Sequence, residues 1–282
     1  MIKVLLKLQK KYKFIFYDFT LMQKKKYYYL VRLQYLGFRF SGWQKQPGQK
    51  TIEGMLTKTL KYILPETPFK ILGAGRTDAK VSALDAAFEL FLTDTPIEDI
   101  TSFIPLFNKN LPSDIRVLNI EETTKEFNII QHSKLKEYVY LFSFGDKNHP
   151  FCAPYLTNIQ EHLDLDLMKE AAGYFVGEHD FSSFTARLQE NTKVQREVVS
   201  SYITENTLLS ANFFPEKSYA FHVKGKGFIR YQIRMMMGAL LQIGKGEFSL
   251  EQLKTSLTSE ETALLKHVAP GSGLLLNNLT FN

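Results

Sequence analysis

An alternation of hydrophobic and polar positions predicts the strands of this chain. Residues 27–35 read YYYLVRLQY, in which Tyr29, Val31 and Leu33 share one face. A period of two residues is typical of a strand with one buried side. Similar patterns predict further strands over residues 84–92, 138–144 and 219–223.

Apolar positions at helical spacing predict the helices. In residues 51–63, Ile52, Leu56 and Leu60 fall on one face, as an amphipathic helix requires. Ser249 and Gln252 have the spacing of a capping box, so a helix is expected to begin at Ser249. Other predicted helices span residues 97–104, 165–176 and 228–243, and Pro105 and Pro112 are expected to bracket a loop.

The order of these elements predicts a mixed α+β fold with mostly antiparallel strands. A seam near residues 122–130 divides the chain into a first domain, 22–125, and a second domain, 126–282. Residues 1–21 are basic and apolar without a clear period, and are expected to form an unstructured extension.

Composition narrows the class of protein. The net charge of +6 suits a partner rich in phosphate, and an aromatic content of 13% supplies rings for base stacking, although a sheet-rich core explains it equally well. One cysteine cannot form an internal disulfide, and the six histidines lack metal-ligand spacing. No apolar run approaches the length of a membrane span, so a reducing cytoplasm is the expected location.

Motifs for nucleotide chemistry are missing from the sequence. The segment GAGRTDAK at 73–80 lacks the glycine pattern of a P-loop, and GKGFIR at 225–230 is not GxGxxG. Neither GxSxG nor HExxH is present. An ATP- or NAD-dependent enzyme is therefore unsupported.

The strongest candidate for chemistry is GAGRTDAKVSA at 73–83. Glycines allow a tight turn close to a ligand, and Asp78 follows Arg76 at the edge of a predicted strand. Local chemistry leaves two interpretations open. One is a catalytic carboxylate, and the other is a surface turn with an exposed ion pair.

This segment resembles the signature GxGRTDxxVxA of the tRNA pseudouridine synthase A family. Further blocks similar to those of the family occur in the family's order, from residue 35 to near the end of the chain. They are YLGFRFSGWQKQPGQKTIEG at 35–54, LPSDIRV at 111–117, FNIIQHSKLKEYVY at 127–140, GEHDFSSF at 177–184, GKGFIRYQIRMMMGALLQIGKG at 225–246 and APGSGLLL at 269–276.

The resemblance implies a role for individual residues. Asp78 matches the family's catalytic nucleophile, and Arg234 matches the arginine that pairs with it. Tyr138 matches a tyrosine that stacks on the target uracil and is a candidate base. Arg76 is implied to act in RNA engagement and base extrusion, and Leu274 to line the uracil pocket.

The implied reaction is the isomerisation of uridine to pseudouridine in the anticodon stem-loop of tRNA, at the family positions 38, 39 and 40. It breaks the N1–C1′ bond, turns the base and joins C5 to C1′. All atoms are kept, so no cofactor, nucleotide or metal is needed. The carboxylate attacks C1′ or C6, or stabilises an oxocarbenium ion, and these routes stay open.

The resemblance also implies two ferredoxin-like halves, similar to RNA-recognition motifs, joined across a central catalytic cleft. The expected partners are tRNA and a second copy of the chain in a cytoplasmic homodimer, with no membrane and no metal. Basic side chains are expected to hold the RNA phosphates, and the candidates are Lys45, Lys80, Lys134, Lys136, Arg196, Lys224, Lys226 and Arg230.

Several positions depart from the family pattern, and they bear on the position of the target uridine rather than on the reaction. They are Leu36 for an acidic residue, Lys80 and Ser82 for the glycine and histidine of GRTDAGVHA, Ile130 for the FxAR arginine and Lys226 for an asparagine. Two alternatives therefore stay open: a catalytically silent tRNA-binding protein, and a paralogue that acts on a different RNA site.

Overall fold

The computed structural model describes residues 24–185, 192–258, 265 and 267–281. The extension expected over residues 1–21 lies outside the described residues. Within them, the helices are α1 (Ile52–Ile63), α2 (Ile100–Asn110), α3 (Leu165–Gly173), α4 (Gln232–Gly244) and α5 (Leu250–Ser256).

The described strands are β1 (Lys26–Tyr35), β2 (Phe69–Gly73), β3 (Ser82–Thr93), β4 (Ile115–Thr123), β5 (Ser133–Phe144), β6 (Thr157–Ile159), β7 (Gly177–Asp180), β8 (Gln195–Glu205), β9 (Tyr219–Gly225) and β10 (Leu274–Phe281). They form one sheet in the order β4-β1-β3-β10-β5-β9-β8-β7, with β2 on β3 and β6 on β5. All pairs are antiparallel except β10 with β3 and β5 with β6. The mixed α+β class with a mostly antiparallel sheet is therefore confirmed.

Two hydrophobic cores hold the helices against the sheet. Tyr29, Val31 and Leu33 of β1 pack in the first core with residues of α1 and α2. Tyr140 and Phe142 of β5 pack in the second core with residues of α3, α4 and α5. The period-two face predicted for β1 is thus buried, whereas β5 is buried on both faces, because Val139 and Leu141 on its other face are buried as well.

Strand β10 lies at the centre and joins the two halves of the chain. It runs parallel to β3, with Leu275 opposite Ser82, and antiparallel to β5, with Leu276 opposite Tyr138. Tyr138 packs against both cores, so it marks the line where they meet. One sheet runs through both halves of the chain without a break, so it does not mark a boundary between domains. The boundary between residues 125 and 126 stays a prediction.

The ends of α1 and α5 follow local capping rules. The Thr51 side chain accepts a hydrogen bond from the Gly54 N–H at the start of α1. The capping box of Ser249 and Gln252 forms with both of its hydrogen bonds, and the predicted start of the last helix is confirmed.

The prediction that Pro105 and Pro112 bracket a loop was wrong. Helix α2 continues through Pro105 to Asn110 instead of ending at residue 104. Its start is fixed by Asp99, whose carboxylate accepts hydrogen bonds from the N–H groups of Thr101 and Ser102. Burial of Phe103 and Phe107 stabilises the helix enough to tolerate the hydrogen bond that the proline removes.

Two other predicted helix bounds also differ. The helix expected from residue 228 begins at Gln232, because Tyr231 has a left-handed backbone with φ of 66° and interrupts the helical turn. Helix α3 ends at Gly173 rather than at residue 176.

Candidate active site

A cleft of about 810 Å³ opens where the two cores meet. Five described parts of the chain form its walls: the segment between β1 and α1, the loop between β2 and β3, strand β5, the start of α4 with the residues just before it, and the first residue of β10. The lining residues include Gly75, Arg76, Thr77, Asp78, Lys136, Tyr138, Phe228, Arg230, Tyr231, Gln232, Arg234 and Leu274.

The loop that carries Asp78 is held by the segment after β1. The Trp43 N–H donates to the Thr77 carbonyl at 3.0 Å, and the Tyr35 hydroxyl lies 2.9 Å from the Thr77 hydroxyl. Gly42 has φ of +100°, and a Cβ there would lie 2.6 Å from the Thr77 carbonyl oxygen. Only glycine allows this close approach, so the loop conformation depends on it.

Arg234 of α4 reaches Asp78 from the other half of the chain. One of its terminal nitrogens lies 3.3 Å from a carboxylate oxygen of Asp78. Its Nε donates to the Ala269 carbonyl at 2.7 Å, and its guanidinium lies 5.1 Å from the Tyr231 ring centroid. Three contacts therefore fix the guanidinium, and both charged side chains are largely shielded from solvent, with exposures of 15% for Arg234 and 21% for Asp78.

Burial dominates the ionisation of Asp78. Desolvation raises the pKa of its carboxyl above the usual range, although Arg234 and, more weakly, Arg230 oppose that rise. A carboxylate with few water contacts and one fixed cation is a stronger nucleophile than a hydrated one.

The raised pKa predicts how activity and stability depend on pH. We expect kcat/KM to fall with acid through a pKa above that of an ordinary aspartate, because only the ionised carboxylate reacts. Because the folded pKa is raised, the stability contribution of Asp78 is fully present below the unfolded pKa and is lost as pH rises through the folded pKa. Rate–pH profiles measure the change in kcat/KM, and chemical denaturation across the acid range measures the change in the free energy of unfolding. The Asp78→Asn variant should lack the part of the pH-dependent stability that Asp78 contributes. An acid limb at or below the ordinary aspartate range would contradict this prediction.

Tyr138 lines the cleft beside Asp78. Its ring meets the Phe228 ring edge to face, with centroids 5.6 Å apart. Burial raises the pKa of its phenol, and the negative charge of Asp78 raises it further. The phenol therefore stays neutral at physiological pH, as a flat apolar surface with one hydroxyl.

Four other predicted residues also line the cleft. Lys136 donates from Nζ to the Ala74 carbonyl at 2.8 Å, and burial lowers the pKa of its ammonium group. Leu274 is buried in the wall, Arg76 is exposed at its edge, and the exposed Arg230 lies 5.0 Å from the Tyr231 ring.

Six of the residues predicted to contact RNA are absent from the described walls of the cleft. Lys80 faces a neighbouring groove, and Lys226 forms an ion pair with Glu197 at 3.0 Å. Arg196 lies on β8 opposite His179. Lys45, Lys134 and Lys224 are also missing from the described lining. A role for these six side chains in holding RNA phosphates stays a prediction.

One departure from the family pattern has a structural explanation. Ser82 is buried, and its hydroxyl accepts a hydrogen bond from the Gly37 N–H at 2.9 Å. It therefore helps to fasten the turn after β1 to the start of β3. By contrast, Ile130 is 59% exposed and has no contact that explains it.

The sequence reasoning missed several lining residues. Ser41, Gln44 and Gln46 lie in the first block that resembles the family, so that block could have identified them. Tyr231 lies in the block at 225–246, which could likewise have identified it, but the sequence pattern did not predict its left-handed backbone.

Neither a membrane span nor a metal cluster is found in the part of the chain that the structure describes. No described helix is long and apolar enough to cross a membrane. No three or more His, Cys, Asp or Glu side chains among the described residues are grouped so as to hold a metal ion.

Comparison with known proteins identifies the class and then the family. A family model described as tRNA pseudouridine synthase matches residues 171–282. The tRNA pseudouridine synthase A of Streptococcus thermophilus is 33% identical over 256 residues, which cover 90% of this chain and 98% of that protein. The tRNA pseudouridine synthase A 2 of Bacillus thuringiensis is 30% identical over 254 residues, covering 90% and 99%. The tRNA pseudouridine synthase A of Dictyoglomus thermophilum is 30% identical over 253 residues, which cover 89% of this chain and 98% of that protein.

The chain therefore belongs to the tRNA pseudouridine synthase A family. The resemblance seen in the sequence is confirmed, and with it the predicted class of enzyme, an isomerase of the tRNA pseudouridine synthase type.

Proposed function

We propose that this enzyme converts uridine to pseudouridine in the anticodon stem-loop of tRNA, with Asp78 as the nucleophile. The observation that carries the proposal is the ion pair of Asp78 with Arg234 inside the cleft. The reaction breaks the N1–C1′ bond and forms a C5–C1′ bond within one nucleotide. The C5 proton leaves and N1 gains a proton, so the atoms balance without a co-reactant.

Arg234 keeps the Asp78 carboxylate ionised and aimed. Because its Nε is bound to the Ala269 carbonyl, the guanidinium cannot swing away when a substrate enters. A fixed cation also needs no reorganisation as charge on the carboxylate changes during the reaction. This holds whether the carboxylate attacks C1′ or C6, or stabilises an oxocarbenium ion at C1′.

Tyr138 and Leu274 supply the surfaces for the base. The phenol ring and the leucine side chain both line the cleft near Asp78, and uracil is flat enough to lie between such surfaces. The Tyr138 hydroxyl is the candidate group for assisting removal of the C5 proton. Its raised pKa makes the neutral phenol the resting form. The hydroxyl can therefore accept the C5 proton only if the phenol passes on its own proton, through a transient phenolate or in the same step.

The uridine must leave its stack before it reaches this pocket. Arg76 is exposed at the cleft edge, where it can occupy the space that the base vacates. Arg230 and Lys136 add positive charge to the same cleft for the RNA backbone. We also infer a cytoplasmic homodimer that shares one tRNA, and the support for this is the family resemblance alone.

A synthetic anticodon stem-loop tests the function directly. With tritium at C5 of its uridines, the purified protein is expected to release tritium to water and to leave pseudouridine at position 38, 39 or 40. Tritium release should persist when EDTA is added and when no nucleotide is supplied, provided that the RNA is folded beforehand. Product at another position would favour the paralogue, and salt-sensitive binding without any turnover would favour the silent binder.

A further inference from the structure

A second open groove, of about 640 Å³, lies beside the catalytic cleft. The two cavities share Ala79, Tyr231 and Arg234, so these residues form the wall between them. The remaining described walls of the second groove are Lys80, Val268, Pro270, Gly271 and Ser272. None of the steps assigned to the catalytic cleft uses this groove.

Two residues of the second groove have a strained backbone. Lys80 and Tyr231 both have φ of 66°, in the left-handed region that disfavours side chains with a Cβ. Of the described non-glycine residues only one other, Asp94, has a positive φ, and aspartate tolerates that region well. Strained residues of this kind persist where the surroundings enforce them, and they concentrate at functional sites.

The packing around Lys80 enforces its conformation. The Lys80 N–H donates to the Phe40 carbonyl at 3.0 Å, and the Val81 N–H donates to the Asp78 carbonyl at 3.3 Å. On the other side, a Cβ on Gly271 would lie 2.3 Å from the Ala79 carbonyl oxygen. The backbone here cannot relax, and glycine would satisfy it without strain, as in the GRTDAGVHA pattern that this segment resembles.

A lysine in a glycine conformation places a positive charge at the groove. Lys80 lines the groove, and its exposed ammonium lies 5.5 Å from the Phe38 ring centroid. Arg234 lies in the shared wall, but its charge is paired with Asp78, so Lys80 is the cation of this groove. The described residues that line the groove include no carboxylate. The groove therefore favours an anion.

We propose that this groove binds the RNA backbone phosphate adjacent to the extruded uridine, with Lys80 as its principal ligand. The proposal rests on the proposed function for the identity of the anion. An extruded nucleotide stays covalently joined to both neighbours, so a phosphate must lie close to the cleft that holds its base. The second groove is separated from that cleft only by the shared wall.

Removal of the lysine charge tests this site through binding. Relative to the parent, Lys80→Gly and Lys80→Ala should each bind the stem-loop RNA about tenfold more weakly, the loss expected for a charge-assisted contact. The slope of log Kd against log salt should fall by about 1, whereas Lys80→Arg should keep the slope of the parent. Lys58→Ala, at an exposed position on α1, is the matched control and should bind like the parent.

The same variants separate a binding role from a structural one. Lys80→Gly relieves the strained backbone and should melt at or above the temperature of the parent, whereas Lys80→Ala keeps the strain. Equal binding losses in the two variants, with unequal melting temperatures, support the proposal. An unchanged salt slope in both would overturn it.

A chemically modified RNA identifies the phosphate. Stem-loops carrying a neutral methylphosphonate on the 5′ or the 3′ side of the target uridine are titrated with parent and Lys80→Gly protein. At one of the two sites the methylphosphonate should weaken binding by the parent but should hardly weaken binding by Lys80→Gly, because the variant has already lost the contact. Such non-additivity is the mark of a direct contact. Additive losses at both sites would overturn the assignment. A parent that binds in this way but releases no tritium would contradict the proposed function and leave the phosphate site intact.

Discussion

Asp78→Asn is expected to abolish turnover while the protein stays folded and binds tRNA. Loss of the nucleophilic carboxylate should lower the single-turnover rate by at least roughly 10⁴-fold. Asparagine has nearly the same volume, so the cleft and its basic walls should keep their RNA affinity. Stability should not fall, because burial, rather than the Arg234 contact, dominates the pKa of this carboxyl. Tritium release in single turnover, filter binding and thermal melting measure the three quantities.

Asp85→Asn is the matched control for this change. Asp85 also pairs with an arginine: Arg32 donates to both of its oxygens, at 2.7 and 2.9 Å. The exposures of 27% for Arg32 and 23% for Asp85 are similar to those of Arg234 and Asp78. It is not among the residues that line the cleft. This variant should lose about 1–3 kcal/mol of unfolding free energy and keep its rate. Near-normal turnover in Asp78→Asn would remove the catalytic assignment.

Tyr138→Phe is expected to give the second largest effect. If the hydroxyl assists removal of the C5 proton, its loss should lower the single-turnover rate roughly a hundredfold or more. Affinity for tRNA should hardly change, because phenylalanine keeps the ring that faces the cleft. Salt dependence of binding should also match that of the parent, since the change removes no cation.

Tyr140→Phe separates loss of a hydroxyl from loss of chemistry. Tyr140 lies two residues along the same strand, and its hydroxyl contacts the Thr157 hydroxyl at 2.7 Å and donates to the Pro270 carbonyl at 2.8 Å. This variant should lose stability, by about 1 kcal/mol, with an unchanged rate. A Tyr138→Phe enzyme as fast as the parent would leave Tyr138 as a stacking surface only.

The class of fold and several local elements could be predicted from the sequence, because their causes are local. The alternation in β1 follows from a strand with one buried face, and the capping box at Ser249 satisfies N–H groups within the same turn. The glycine-rich turn before Asp78 likewise marked a place where the backbone comes close to a neighbour. The sequence blocks also identified the family, which the comparisons confirm.

Other features could not be predicted, because distant parts of the chain decide them. Pro105 lies inside α2 because Phe103 and Phe107 are buried against the sheet, which outweighs the local preference for a break. Lys80 was predicted to hold RNA phosphates, but the sequence pattern indicated neither its left-handed backbone nor the groove beside the cleft that it lines.

By itself the sequence determined the periodicity of four of the described strands and of the helices, the choice of Asp78 as candidate nucleophile and the family that the chain joins. Only the tertiary structure decided what surrounds that carboxylate. Arg234 reaches Asp78 across 156 residues because β10 lies between β3 and β5 and brings the two halves together. Tyr231 adopts its left-handed turn within the same junction. Local patterns report periodicity and capping, whereas the register of distant strands sets the distances and the burial on which the chemistry depends.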